Sequence, residues 1–332
     1  MKAQFTTVLI SIALLFHYSF SSAQSYPQLS DQIRLERLQA PEGKIRMVLD
    51  TDTYNEIDDQ FAVVYALLSP DKLDVEAIYA APYLNNRSTS PADGMEKSYE
   101  EILRLLDKLG KSPDNFVYKG SDAFLQSVDQ PIQSDAAKDL VERAMASSEP
   151  LYVLAVGAPT NVASAILMEP EIINKIVVVW LGGKGLQWRR ASEFNLQQDM
   201  ISSQVIFDSG VPLIQLPTQP VTSHLLTTVP EIEKHLLGQG AIGDYLVEIF
   251  KDYHEEHYAW SKVIWDISAV AYVINSNWFE TELLHTPILT DQQTYSFDNT
   301  RPLYRVATYL HRDPIFGDMF RKVEAYQKQS GK

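Results

Sequence analysis

Short apolar runs alternate along this chain with longer segments whose apolar positions recur at helical spacing. Residues 74–80, 151–156, 176–181 and 212–216 read as strands, and residues 95–109, 161–168 and 200–208 as helices. Near the start of this pattern the apolar triplet Met47-Val48-Leu49 runs into a polar decapeptide, which gives way to the apolar stretch 61–68. Repeated strand–helix units with nearly continuous apolar strands imply an α/β fold: an open, mostly parallel sheet covered by helices on both faces. From 230 to 275 the pattern is mainly helical, so additional helices are expected toward the C-terminus. Residues 24–44 look like a polar lead-in to a single domain over 45–332, and no internal repeat or Gly/Ser linker interrupts it.

The decapeptide, Asp50-Thr51-Asp52-Thr53-Tyr54-Asn55-Glu56-Ile57-Asp58-Asp59, holds five carboxylates in ten residues. Its place after a strand and before a helix is where open α/β sheets bind ligands. So many acids stay ionised at close range only with a cation among them; otherwise some take up protons. Capping of the following helix accounts for one or two acids, not five. Oxygen ligands and a chain with no Cys point to Ca²⁺ or Mg²⁺ rather than zinc. An EF-hand loop is excluded because Glu56 stands where that loop needs Gly.

The remaining composition narrows the partners. A formal charge of −15 argues against polymeric nucleic acid, which needs a basic footprint. Lys2, the apolar stretch 8–16 and Ser21-Ser22-Ala23 read as a signal peptide (residues 1–23) cleaved near Ala23, with the product exported to periplasm or medium. No later segment is apolar and long enough to span a bilayer, and no Cys is available for a lipid anchor. A small neutral ligand held partly through a metal fits this balance.

Four further clusters fall at strand ends or helix starts: Asn85-Asn86, Gly157-Ala158-Pro159-Thr160-Asn161, Glu193-Phe194-Asn195 and Trp265-Asp266. Thr160, Asn161 and Asp266 each have an innocuous reading as helix-start residues. Taken in order with the acidic loop, the clusters resemble the inosine–uridine-preferring nucleoside hydrolases. Asp50-Thr51-Asp52 and Asp58-Asp59 match the two acidic halves of that family's opening Asp-Thr-Asp-Pro-Gly-x-Asp-Asp. Gly157 to Asn161 is similar to its Gly-Pro-Leu-Thr-Asn. Leu181-Gly182-Gly183 is similar to Met-Gly-Gly, Ser192 to Asn195 to Ala-Glu-Phe-Asn, and Trp265-Asp266 to the late His-Asp.

The resemblance implies an enzyme cleaving the N-glycosidic bond of ribonucleosides or related N-ribosides with a bound Ca²⁺. By position it gives Asp52, Asp59 and Asp266 as carboxylate ligands, the Thr160 carbonyl as a fourth, and Asp52 as the base that activates water. It gives Asp58, Glu193, Asn195 and Asn85 as holders of ribose hydroxyls, with homo-oligomerisation left open.

Two departures stand out. Five residues, Thr53 to Ile57, separate Asp52 from Asp58 where the family has three, so Tyr54, Asn55 or Glu56 is expected to enter the pocket. Trp265 stands where many members carry a proton-donating His; it can stack on a base but not protonate it. Leaving-group help would then come from elsewhere, with His254 and His257 the nearest candidates. Their spacing of three does not match the zinc motif His-Glu-x-x-His. Trp188, Tyr253 and Trp260 are further aromatic candidates for base contact. Two rivals remain at this stage: a non-catalytic riboside- or sugar-binding protein of the same fold, and a haloacid-dehalogenase-type phosphatase, whose later acidic pair and Lys cannot be placed.

Overall fold

The computed structural model describes residues 26–330; the leader segment expected over residues 1–23 lies outside them. The expected lead-in contains a short helix, α1 (Asp31–Arg37), started by the Ser30 hydroxyl, which accepts a hydrogen bond from the Ile33 amide. The strand–helix alternation then follows as β1 (Ile45–Thr51), α2 (Asp58–Leu67), β2 (Leu73–Ala80), α3 (Pro91–Lys108), β3 (Val117–Lys119) and α4 (Asp135–Met145). Next come β4 (Leu151–Ala155), α5 (Thr160–Met168), β5 (Ile176–Leu181), α6 (Phe194–Gln198), α7 (Met200–Asp208) and β6 (Leu213–Leu216). The C-terminal part holds β7 (Leu226–Thr227), α8 (Val229–Leu236), α9 (Gly240–Asp252), β8 (Lys262–Val263) and α10 (Ile267–Ile274). It ends with β9 (Phe279–His285), β10 (Ile288–Leu289), β11 (Tyr295–Ser296), β12 (Leu303–Leu310) and α11 (Arg312–Ser330).

Eight strands form one sheet in the order β3-β2-β1-β4-β5-β6-β12-β9, parallel throughout except for the edge strand β9. The period of two along each strand sends alternate residues to opposite faces. Met47, Leu49, Val177 and Val179 join a core with α2, α3 and α8 to α11, whereas Val48, Val178 and Trp180 join a second core with α4, α5 and α7. Both faces are therefore covered, which is why β4 and β5 are apolar at every position and fully buried. Burial of a side chain such as Phe61 or Phe250 contributes roughly 1.5–3 kcal/mol. No helix among the described residues is long and apolar enough to cross a membrane.

Strand β1 pairs with β2 on one side and β4 on the other. The chain thus winds outward from β1 in one direction and later returns to continue in the other, opening a crevice at the carboxyl ends of β1 and β4. The acidic decapeptide begins in β1 and the Gly157–Asn161 cluster follows β4, so both stand at that crevice. Sequence pattern alone did not reveal β9 and β12, which extend the sheet beyond β6. Strand β9 is a half-exposed edge carrying Glu280 and Glu282, so its pattern reads as polar.

Candidate active site

Helix α2 is buried at all ten of its positions, Asp58 and Asp59 included, and no side chain caps it. These two acids therefore do more than cap. The Asp58 carboxylate (Oδ2) accepts a hydrogen bond from the Trp265 amide at 3.1 Å, 207 residues away. Asp59 accepts a short hydrogen bond from the Thr51 hydroxyl at the end of β1. The segment carrying Trp265 and Asp266 is fixed by the pairing of β8 with β7 and by the Ile264 amide donating to the Leu225 carbonyl at 2.8 Å. In consequence one carboxylate oxygen each from Asp58, Asp59 and Asp266 fall within 4.8 Å of one another.

Asp52 lines the same cavity, of about 310 Å³. It is 1% exposed, and its Oδ2 has no hydrogen-bond partner among the described residues. Gly157 allows this placement: a Cβ there would lie 2.9 Å from the Asp52 carboxyl carbon. Behind it, Asp50 accepts a hydrogen bond from the Asn161 side-chain amide at 2.8 Å. Asn161 is held in turn by the Ser121 amide and hydroxyl, at 2.7 and 2.9 Å.

The electrostatics follow from that crowding. Two like charges about 4 Å apart repel by about 4 kcal/mol at an effective dielectric constant of 20. Burial, then the charges of Asp59 and Asp58, raise the Asp52 pKa well above the usual carboxylate range. Burial followed by the charge of Asp58 does the same to Asp266. Burial pushes Asp58 up to about 6 against the opposing pull of Lys262, and pushes Asp59 up to about 7 with help from Asp58. Lys262, only 9% exposed, lies 3.8 Å from Asp58, makes a short ion pair with Glu56 and sits over the Tyr253 ring.

Glu193 caps α6: its carboxylate accepts from the amides of Asn195 (2.9 Å), Gly183 (2.7 Å) and Leu196 (3.3 Å). Burial still pushes its pKa up to about 7. The Asn195 side-chain NH₂ donates to the carbonyls of Val156 (2.8 Å) and Leu181 (3.0 Å), which leaves its Oδ1 for the cavity.

Asp52, Asp58, Asp59, Glu193, Asn195, Trp265 and Asp266 therefore all line one cavity, as do Asn55 and Glu56 from the lengthened loop. Other expected residues fall elsewhere. Tyr54, held at φ +106°, lies under the Arg87 guanidinium and lines a neighbouring depression. Asn85 does not line the cavity; its NH₂ donates to the Asn55 side-chain oxygen at 2.6 Å, so it holds a residue that does. Thr160 is fully buried, its hydroxyl donating to Asp199 at 2.9 Å, and it too is absent from the lining, where Val156 stands instead.

His254 stacks on Trp260 and His257 packs beside it, and neither lines the cavity. Of the four aromatic candidates only Trp265 does. Sequence reading missed Lys184, Thr218, Gln219 and Lys262, single polar residues with no spacing to mark them; the first three follow β5 and β6 and line the cavity.

The chain matches the family model described as inosine-uridine preferring nucleoside hydrolase over residues 47–314. It is 27% identical over 266 residues to the pyrimidine-specific ribonucleoside hydrolase RihA of Escherichia coli O9:H4 (strain HS), covering 71% of this chain and 81% of that protein. Among solved structures it is similar to a plant nucleoside hydrolase, PpNRh1, with a TM-score of 0.68 at 20% identity, over 85% of this chain and 99% of the other. It is also similar to a purine-preferring ribonucleoside hydrolase from Gardnerella vaginalis, with a TM-score of 0.67 at 20% identity, over 86% and 99% of the two chains. At these identities the two structures establish a shared fold.

Proposed function

This chain belongs to the inosine-uridine preferring nucleoside hydrolase family, and on that premise we propose that it hydrolyses ribonucleosides or related N-ribosides to ribose and free base with the help of Ca²⁺. The family makes it a hydrolase acting on N-glycosyl bonds, which sets aside the phosphatase and the non-catalytic binder. The observation that carries the metal reading is the cluster of Asp58, Asp59 and Asp266 beside Asp52, whose buried Oδ2 has no partner among the described residues. The donors suit a hard cation, since every candidate side-chain ligand is a carboxylate and no His lines the cavity among the described residues. Asp52, Asp59 and Asp266 would hold the ion, with Asp58 close enough to join them.

When bound, Ca²⁺ supplies positive charge that keeps the carboxylates ionised and Lewis acidity toward water. Cleavage of the glycosidic bond builds positive charge on the sugar in an oxocarbenium-like transition state. Asp52 takes a proton from the attacking water. Asp58, Glu193 and Asn195 hold the ribose hydroxyls, and they accelerate the reaction only as far as those contacts tighten in the transition state. Trp265 offers an aromatic face to the base.

A panel of nucleosides scored for reducing sugar tests this reading. The expected result is ribose release without phosphate. Turnover of phosphorylated substrates alone, or binding without turnover, would contradict it. The leader-like sequence of residues 1–23 supports export after cleavage near Ala23, which mass spectrometry of the mature N-terminus checks; an exported form retaining Met1 would refute that cleavage.

A further inference from the structure

We propose that Lys184 is the catalytic residue that stabilises the departing base, a role that rests on the nucleoside hydrolase reading above. With Trp265 in the place of a proton-donating His, and His254 and His257 outside the cavity, the leaving group needs another source of assistance. Lys184 is the only cationic side chain among the described residues that line the cavity. Lys262, the other amine nearby, is committed to Glu56 and Asp58.

The backbone on either side of Lys184 is fixed. The Gly183 amide donates to Glu193 at 2.7 Å, and its carbonyl accepts from the Thr218 amide and hydroxyl at 2.9 and 3.0 Å. The Lys184 carbonyl accepts from the Tyr295 hydroxyl at 3.2 Å, and the Gly185 amide donates to the Gln219 carbonyl at 2.8 Å. Gly183 adopts φ +70°, and a Cβ there would stand 2.5 Å from the Tyr295 hydroxyl oxygen, so this turn admits little else. The stem of Lys184 thus leaves a rigid mount, with its ammonium 5.3 Å from the Trp188 ring centroid.

Charge assigns the amine to the departing base: bond cleavage leaves positive charge on the sugar and negative charge on the base, so a cation in the cavity stabilises only the latter. Asp52 follows β1 and Lys184 follows β5, with β4 between them. As the bond from the anomeric carbon to the base nitrogen breaks, its electron pair stays on the base. The water oxygen bonds to the anomeric carbon and its proton passes to Asp52. The base departs as an anion paired with the Lys184 ammonium and takes a proton from solvent after release. Bases that spread this charge onto a carbonyl oxygen, such as uracil or hypoxanthine, suit the site better than adenine.

Steady-state kinetics on uridine and on p-nitrophenyl riboside, whose leaving group is already stable as an anion, test the proposal. Lys184→Met should lower kcat for uridine by about 10²–10³-fold, the usual effect of removing one preorganised charge-stabilising group, with a loss at least tenfold smaller on p-nitrophenyl riboside. Lys184→Arg, which keeps the charge, should recover most of the uridine kcat. Equal losses on both substrates, a change confined to KM, or no loss would overturn the role. Wild-type protein that cleaves neither substrate would sink the parent reading and this proposal with it.

Discussion

At Asp52 a single side chain is both the proposed base and a source of instability. Its carboxyl is buried among like charges, so replacing it removes repulsion while removing the proposed acceptor of the water proton. Asp52→Asn should therefore reduce turnover by about 10²–10⁴-fold, the range of general base catalysis, and yet raise the melting temperature of the metal-free protein by a few degrees. A lower metal-free melting temperature would contradict that repulsion. Trp265→Ala, by contrast, removes the proposed stack on the base, a contact shared by ground and transition states, so KM should rise while kcat stays within a few-fold. The acids were legible in the sequence because five of them crowd into ten residues. Lys184 and Lys262 were not, since a lone Lys carries no pattern and only the folded chain brings it to the cavity.

In the turn between β4 and α5, Gly157 meets the Asp52 side chain, which follows β1, so closely that a Cβ there would lie 2.9 Å from its carboxyl carbon. Gly157→Ala would push the Asp52 carboxylate aside, and misplacement by about 1 Å can cost on the order of 10²-fold in rate. Activity should fall by at least tenfold while far-UV circular dichroism is unchanged; full activity would mean that Asp52 has room to relax. The strands β1, β4, β5 and β6 were readable because burial on both faces leaves apolar runs in them, as in Ile176 to Leu181, whereas β2, which carries Asp74 and Glu76, was readable from its apolar second half. Helix α11 and strand β12 were harder: α11 carries Pro314 and Gly317 near its start, and Arg305 interrupts β12. The five residues of Thr53 to Ile57 announced an altered loop, yet which of their side chains enter the cavity was settled by the left-handed backbone at Tyr54, which the sequence does not encode as a Gly.

Across the whole molecule the buried acids tie stability to pH and metal. Asp58, Asp59 and Glu193 have folded pKa values of about 6, 7 and 7, against usual values of 3.8, 3.8 and 4.5. The metal-free native state therefore binds more protons than the unfolded chain in this window, so stability present below about pH 4 is lost as pH rises toward 7. Thermal melts in chelator should show a falling melting temperature over that range, and a rising one would contradict the assigned shifts. Calcium, which favours the ionised acids, should reverse the trend: at 100 times its Kd a ligand adds about 2.7 kcal/mol, roughly 4 °C for a chain of this size. The most direct test of calcium-dependent N-riboside hydrolysis is ribose release from uridine and inosine by protein stripped with chelator, then supplied with Ca²⁺. The account predicts that release stops on stripping and returns with the ion, whereas undiminished turnover in metal-free protein would contradict it.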